Sequence, residues 1–239
     1  MSNDYFQFKQ FIVHQQKAAM KVCTDACLFG AWVGKMVSAN NFANDAQALD
    51  IGTGTGLLSL MLAQQFPGTI DAIDIDYGAA TQAVENIAGS KWNDRISVHE
   101  SSLEDWENNH YNLIICNPPF YEQDLKSPDI QRNLALHDSG LTLGTLWENI
   151  TRCLLPDGLF AVLLPYHRLN ECLQFAGAHG FYVHEMVAVK QTEKHAPFRV
   201  MLLLGRENKV TLQETMLIKN EGVYSSEFIA FLRDYYLYL

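Results

Sequence analysis

The run Ala48-Leu49-Asp50-Ile51-Gly52-Thr53-Gly54-Thr55-Gly56 limits the fold of this chain more than any other stretch. It reads as an apolar strand, a turn with a glycine at every second position, and then a helix that opens with Leu57-Leu58-Ser59-Leu60-Met61-Leu62-Ala63. Strand, glycine turn and helix are the start of a βαβ unit and hence of a doubly wound parallel sheet. The spacing differs from the dinucleotide fingerprint, whose third glycine comes later. No Gly-Lys-Ser/Thr follows to make a phosphate loop. Glycines at Gly52, Gly54 and Gly56 let the backbone approach a ligand and let the helix pack near the strand.

Asp50 narrows the ligand. A carboxylate ahead of the turn repels a pyrophosphate but meets an ammonium, directly or through water. The second strand, Thr69–Asp76, ends in acids. Asp74 is expected to accept hydrogen bonds from both hydroxyls of a ribose, and Asp76 to cap a helix from Tyr77 through Ala88. An ammonium site and a ribose site on adjacent strands fit a nucleoside carrying an amino acid, which is S-adenosylmethionine. A third strand, Arg95–His99, leads into Ser101-Ser102-Leu103, where Ser102 and Leu103 are placed against the cofactor's adenine.

The fourth strand, Tyr111–Cys116, runs straight into Asn117-Pro118-Pro119-Phe120. An amino group conjugated to a ring is a poor nucleophile because its lone pair is delocalised. Two acceptors aimed at its hydrogens localise that pair. Asn117 supplies a side-chain oxygen. Pro118 offers a carbonyl without a competing N–H, and Pro119 restricts where that carbonyl points. Phe120 is a platform for a flat base, worth roughly 1–3 kcal/mol of stacking. Such a corner stabilises charge developing on nitrogen without a strong general base. Gly52, Asp74, Ser102 and Asn117 all fall at the carboxyl ends of strands, where open parallel sheets bind ligands.

The rest of the chain supplies cover. Thr24 or Asp25 is expected to cap a short helix through Val33, followed by a polar linker from Ser38 to Gln47. Residues 121–139 show no periodicity and form a long loop; Arg132 is a candidate for a substrate phosphate, and His137 is read as structural. Leu143–Leu154 is an amphipathic helix stopped by Pro156-Asp157-Gly158. Leu159–Leu164 is a fifth strand and Arg168–Ala178 a helix ended by Gly180. Phe181–Val189 and Phe198–Leu204 form a last strand pair, and the tail from Phe228 is helical. The fold is an α/β, Rossmann-like sheet of seven mostly parallel strands with an antiparallel last strand and helices on both faces. One domain spans 1–239, with 1–45 as an extension covering the cofactor and substrate sites.

With 239 residues, 48% of them hydrophobic, the chain has enough for a full core. No apolar run reaches bilayer length, and Met1-Ser2-Asn3-Asp4 has no signal-peptide character. The five scattered cysteines suit neither zinc nor a disulfide framework. No metal is expected, and the setting is a reduced cytoplasm. The net charge of −10 argues against a generic nucleic-acid binder. It leaves room for a local basic patch. The N-terminal stretch with Lys9, Lys17, Lys21 and interleaved Tyr5, Phe6, Phe8 and Phe11 reads either as such a patch or as a hairpin covering the core.

The chain resembles the class I S-adenosylmethionine-dependent methyltransferases in Asp50–Gly56 and in Asn117–Phe120. Within that class it is similar to bacterial tRNA (adenine-N6) methyltransferases that modify adenosine 37 of a valine tRNA. The likeness is closest in Phe6–Phe11, Ala19–Asp25, the Asn-Pro-Pro-Phe-Tyr corner and Tyr224–Phe228. It implies methyl transfer to an adenine flipped into a pocket, with Lys21, Thr24 and Asp25 near the cofactor. Lys9, Phe120, Tyr121 and Arg132 would meet the tRNA, and a monomer is expected. Ser102 stands where many relatives carry an acid, and Cys23 where they often carry glycine. A protein glutamine N5-methyltransferase is the alternative, disfavoured by the lack of a separate helical N-terminal domain. DNA adenine methylation lacks a target-recognition domain here, and the intact Asn117–Phe120 corner argues against an inert RNA-binding scaffold.

Overall fold

The structure is a computed structural model and describes residues 3–107, 110–118 and 141–239. The apolar segments become strands β3 (Gln47–Ile51), β4 (Thr69–Asp74), β5 (Ile96–Glu100), β6 (Tyr111–Cys116), β7 (Leu154–Pro165), β8 (Tyr182–Lys190) and β9 (Arg199–Gly205). These form one sheet together with β10 (Leu212–Leu217), in the order β10-β8-β9-β7-β6-β3-β4-β5. The strands β5, β4, β3, β6 and β7 run parallel, and β9 is antiparallel to both β7 and β8. The expected seven strands and the antiparallel member are present. An eighth, β10, is added at the edge, parallel to β8. It escaped the sequence reading because its first four residues, Leu-Gln-Glu-Thr, are exposed on both faces, so it carries no apolar run.

Alternation along each strand feeds two cores. Ala48, Ile70, Leu113, Ile115, Ala161 and Met201 point to one face, with α1 (Thr24–Asn40), α2 (Leu57–Leu62) and α3 (Tyr77–Ala88). Leu49, Ile51, Ile114, Phe160, Val162 and Leu202 point to the other, under α4 (Leu143–Cys153) and α5 (Leu169–Ala178). Period-2 burial on both faces is what a sheet covered on both sides requires. On the second face the fully buried Trp147 fills the layer between Phe160 and Phe181, with ring centroids 5.4 and 5.2 Å away.

Two local expectations are corrected. Neither Thr24 nor Asp25 caps α1: its N-cap is Cys23, with no side-chain cap bond. Asp25 is drawn instead to Arg199 on β9, whose Nε donates to it at 2.8 Å. The helix also runs past Val33 to Asn40, taking the first three residues of the expected linker, because Met36 and Val37 continue its buried stripe; residues 41–46 connect it to β3. Asp76 caps α3 as expected, accepting from the Ala79 N–H at 2.7 Å. The tail helix α6 (Ser226–Leu232) is shorter than its apolar pattern and is capped by Ser225 Oγ.

The N-terminal stretch is a hairpin, β1 (Tyr5–Gln7) and β2 (Ile12–His14). Phe8 and Phe11 are buried and stack at 4.5 Å, so these aromatics serve the core. Lys9 Nζ donates to the Arg233 carbonyl and Lys17 pairs with Glu85. Buried Asn86 of α3 clamps the hairpin. It accepts from His14 N, donates to His14 O and also donates to the Thr55 carbonyl in the glycine turn, each at 2.8 Å. No helix among the described residues is long and apolar enough to cross a membrane.

Gly68 sits where the chain enters β4 beside Ala46. A side-chain carbon there would come within 1.8 Å of the Ala46 carbonyl oxygen. Gly68→Ala is therefore expected to lower unfolding stability by roughly 3 kcal/mol. Denaturant melts that coincide with wild type would contradict this packing.

Candidate active site

Strand register brings the site together. Ile51 at the end of β3 is paired with Ile73 on β4 and with Cys116 on β6. The next residues, Gly52, Asp74 and Asn117, therefore emerge side by side, with strands about 5 Å apart. Asp74 is paired with Glu100 on β5, and the Ser101 N–H reaches the Asp74 carbonyl at 2.9 Å. The chain leaves β3 toward β4 and β5 and then returns to β6 on the other side. Asp50–Gly52 and Asn117 thus flank the point where strand order reverses, the place an open α/β sheet binds ligands.

All three turn glycines have positive φ: 69° at Gly52, 59° at Gly54 and 78° at Gly56. Side chains there would be strained. They differ in surroundings. A Cβ at Gly52 or Gly54 would meet nothing within 4 Å, so that side of the turn is open. At Gly56 it would touch Ala83 and Ile87 of α3 at 3.4 Å. The first two glycines leave room for a ligand and the third packs the helix.

Asp50 is fully buried. Its Oδ2 accepts from Thr53 Oγ1 and Ser59 Oγ at 2.7 Å and from the Ser59 N–H at 3.1 Å. Its Oδ1 is buried without a hydrogen-bond partner. Burial pushes the carboxyl up to about 6; the Ser59 and Thr53 hydrogen bonds oppose this and the nearby Asp74 charge adds to it. An unsatisfied buried acceptor costs about 1–3 kcal/mol, which a cationic donor such as an ammonium would offset.

Asp74 is half-buried. Its Oδ2 accepts from the Gly54 N–H at 2.8 Å and its Oδ1 from the Asp76 N–H at 2.9 Å. Each oxygen keeps further acceptor capacity for a hydroxyl. Burial raises this carboxyl, and the Asp76 charge adds to the rise. The acid so expected at the ribose also holds the middle glycine of the turn.

Other expected site residues stand as follows. Ser102 Oγ donates to Asp105 Oδ2 at 2.8 Å and accepts from the Asp105 N–H, closing a small turn. The Leu103 side chain is buried in the core under α4 and α5. Asn117 is half-buried and Pro118 buried at the exit of β6. Lys21 is exposed. Thr24 lines a cavity of about 300 Å³ with Asp25, Gln191, Phe198, Lys219 and Tyr224. Pro119, Phe120, Tyr121, Arg132 and His137 lie outside the described residues. Among the described residues no group of His, Cys, Asp and Glu could hold a metal ion. Sequence reasoning missed Asn86, the Asp25–Arg199 pair and the Phe198–Tyr224 cavity. All three depend on contacts between distant segments and leave no local signal.

A buried acid over an open glycine turn, a second acid one strand away and a β6 exit ending in Asn-Pro define a class I S-adenosylmethionine-dependent methyltransferase. Residues 32–143 match the Methyltransferase small domain family. The chain is 38% identical to the tRNA1(Val) (adenine(37)-N6)-methyltransferase of Cytophaga hutchinsonii, covering 100% of both chains. It is 37% identical to the protein of that name from Pectobacterium carotovorum, covering 100% of this chain and 96% of that one. A predicted O-methyltransferase from Agrobacterium tumefaciens shares the fold, with a TM-score of 0.63 at 12% identity over 88% of this chain and 96% of that chain. The chain belongs to the tRNA1(Val) (adenine(37)-N6)-methyltransferase family, and its cofactor is S-adenosylmethionine.

The raised Asp50 carboxyl makes a stability prediction. Asp50 holds its proton more tightly folded than unfolded, so its contribution is complete below the ordinary carboxylate range. It is lost as pH rises through about 6. Without cofactor, the wild-type melting temperature is expected to lose more than that of Asp50→Asn between pH 4 and 7. Parallel melting profiles for the two proteins would refute the assignment.

Proposed function

We propose that this enzyme methylates the exocyclic N6 of an adenine in tRNA, at position 37 of a valine tRNA. The observation that carries the reading is the delivery of Asn117-Pro118 by β6 to the switch point, directly beside the Asp50–Gly56 turn. S-adenosylmethionine, when bound, supplies an electrophilic methyl group on a sulfonium. Asp50 would take its ammonium and Asp74 its ribose hydroxyls. Gly52 and Gly54 leave the room and Gly56 packs the helix behind them.

The chemistry on the substrate side belongs to the corner. The Asn117 side-chain oxygen and the Pro118 carbonyl accept the two N6 hydrogens, which pulls the nitrogen's lone pair out of conjugation. Placed where charge develops, such acceptors lower the barrier without a strong base. Phe120 is assigned to stacking on the flipped base, Pro119 to the Asn-Pro-Pro motif, and Tyr121 and Arg132 to contact with the RNA. Ser102 and the Leu103 segment border the cofactor's adenine.

The whole of 1–239 works as one methyltransferase domain. Its first 45 residues serve as a cover, supported by the Asn86 bridge from His14 to Thr55. A side-chain carbon at Gly78 would lie only 2.9 Å from the Lys17 carbonyl oxygen, so the cover passes close to the start of α3, beside Asp74. Every residue in the proposed site comes from one chain, so a monomer suffices. The five free cysteines accord with a reducing cytoplasm.

Transfer of labelled methyl to a transcribed valine tRNA, and its loss when adenosine 37 is replaced by guanosine, tests this reading. Label of equal extent on the guanosine transcript would overturn position 37. Asn117→Ala is expected to lower kcat about 10²–10³-fold while cofactor affinity stays within a few-fold. Turnover at the wild-type rate would remove Asn117 from the mechanism. Asp74→Ala is expected to raise the cofactor's Kd tenfold or more, a loss of about 1.4 kcal/mol. Unchanged calorimetric titrations would exclude Asp74 from the ribose site.

A further inference from the structure

The sheet edge that carries Asn117 continues past β7 to β9, β8 and β10. Pro165 at the end of β7 is paired with Arg199, Arg199 with Val189, and Lys190 with Leu217. The cavity of about 300 Å³ lies on this continuation, lined by Gln191 after β8, Phe198 before β9 and Ile218 and Lys219 after β10, and closed by Thr24 and Asp25 of α1 and by Tyr224. Strand β9 is two strands from β6 and β8 is three, or about 10–14 Å. One adenine held at Asn117 does not fill a cavity that far along. A neighbouring nucleotide on a splayed single strand reaches it.

The lining has the chemistry of a base-binding pocket. Phe198 and Tyr224 are 37% and 40% exposed, so both aromatics are open to solvent where they line the cavity. The Tyr224 ring is backed by Phe228, stacked at 4.7 Å and 19°, which fixes it as a platform. Lys219 Nζ lies over the Tyr224 ring, 5.7 Å from its centroid. Thr24 and Gln191 add a hydroxyl and an amide that can read a base edge. The one acid in the wall, Asp25, is paired with Arg199 at 2.8 Å. From Lys190 to Arg199 inclusive the segment carries Lys190, Lys194 and the Asp25-paired Arg199 against Glu193, on a body of net charge −10. Single-stranded RNA is recognised by this combination of aromatic stacking, edge hydrogen bonds and local positive charge.

We infer that this cavity is a second RNA subsite, which takes the base of a nucleotide flanking the target adenine between Phe198 and Tyr224, with Lys219 beside its phosphate. The inference rests on the tRNA reading of the Asn117 corner and deepens it. Lys219 and the cations from Lys190 to Arg199 give an acidic enzyme a local grip on RNA at this edge. The Asp25–Arg199 pair holds the start of α1 against β9 and so sets the cavity's width.

The test uses a valine tRNA anticodon stem-loop carrying 2-aminopurine at the position before or after residue 37, with the full-length enzyme. Wild type is expected to change the fluorescence of one of the two probes on binding. Phe198→Ala and Tyr224→Ala are expected to abolish that change and to lower kcat/KM for the stem-loop roughly tenfold or more, mainly through KM. Their S-adenosylmethionine Kd should stay at the wild-type value, which shows that the fold is intact, and Phe198→Tyr should restore the signal. Lys219→Glu, an independent change outside the core, should raise KM and reduce the salt dependence of binding. A wild type that methylates the stem-loop while all these variants behave identically to it overturns the subsite and leaves the N6 reading standing. A wild type that neither binds nor methylates the stem-loop overturns both.

Discussion

The buried carboxylate of Asp50 is the constraint on which the site depends. It sits near the end of β3, holds Thr53 and Ser59 through one oxygen, and thereby ties the glycine turn to the first turn of α2. A charge so placed is tolerated only because three donors surround it. Its second oxygen is buried without a hydrogen-bond partner. Two further side chains complete the frame. Asp74 reaches across from β4 to the Gly54 N–H, and Asn86 from α3 to the Thr55 carbonyl. The turn is therefore held from three elements before any ligand arrives, and preorganised groups lose little freedom on binding.

The topology explains why substrate chemistry and cofactor chemistry meet. Because the chain returns to β6 after β5, Asn117 lands one strand from Gly52 although 65 residues separate Cys116 from Ile51. The antiparallel β9 then carries Phe198 and Arg199 to the same edge, which a purely parallel strand would have delivered to the opposite end. Edge strand β10 places Ile218 and Lys219 beside Lys190 and Gln191. Cofactor, target base and flanking RNA can thus be arrayed along one rim.

Much of this was legible because it is local. The boundaries of β6 and α3, the Asp76 cap and the glycine turn each follow from a short run of residues whose spacing admits one solution. The errors share a cause in tertiary competition. Asp25 has the chemistry of a helix cap, but Arg199, 174 residues away, claims it. Where the N-terminal stretch read either as an RNA-binding arm or as a hairpin covering the core, the hairpin is what forms: Phe8 is buried against Tyr236 and Lys9 Nζ donates to the Arg233 carbonyl. Strand β10 forms from a polar segment because β8 offers it an open edge. The cavity between α1, β9 and the Lys219 segment has no signature at all in any single stretch of the chain.

The central claim is that a corner shaped for a planar amine, on this frame, acts on adenine in tRNA. The most direct measurement incubates the enzyme and labelled S-adenosylmethionine with a whole-cell extract and follows the label into RNA and protein fractions, with mass spectrometry of the nucleosides. The account predicts label in tRNA, recovered as N6-methyladenosine from a valine tRNA. Label confined to protein as N5-methylglutamine, with none in tRNA, would contradict it.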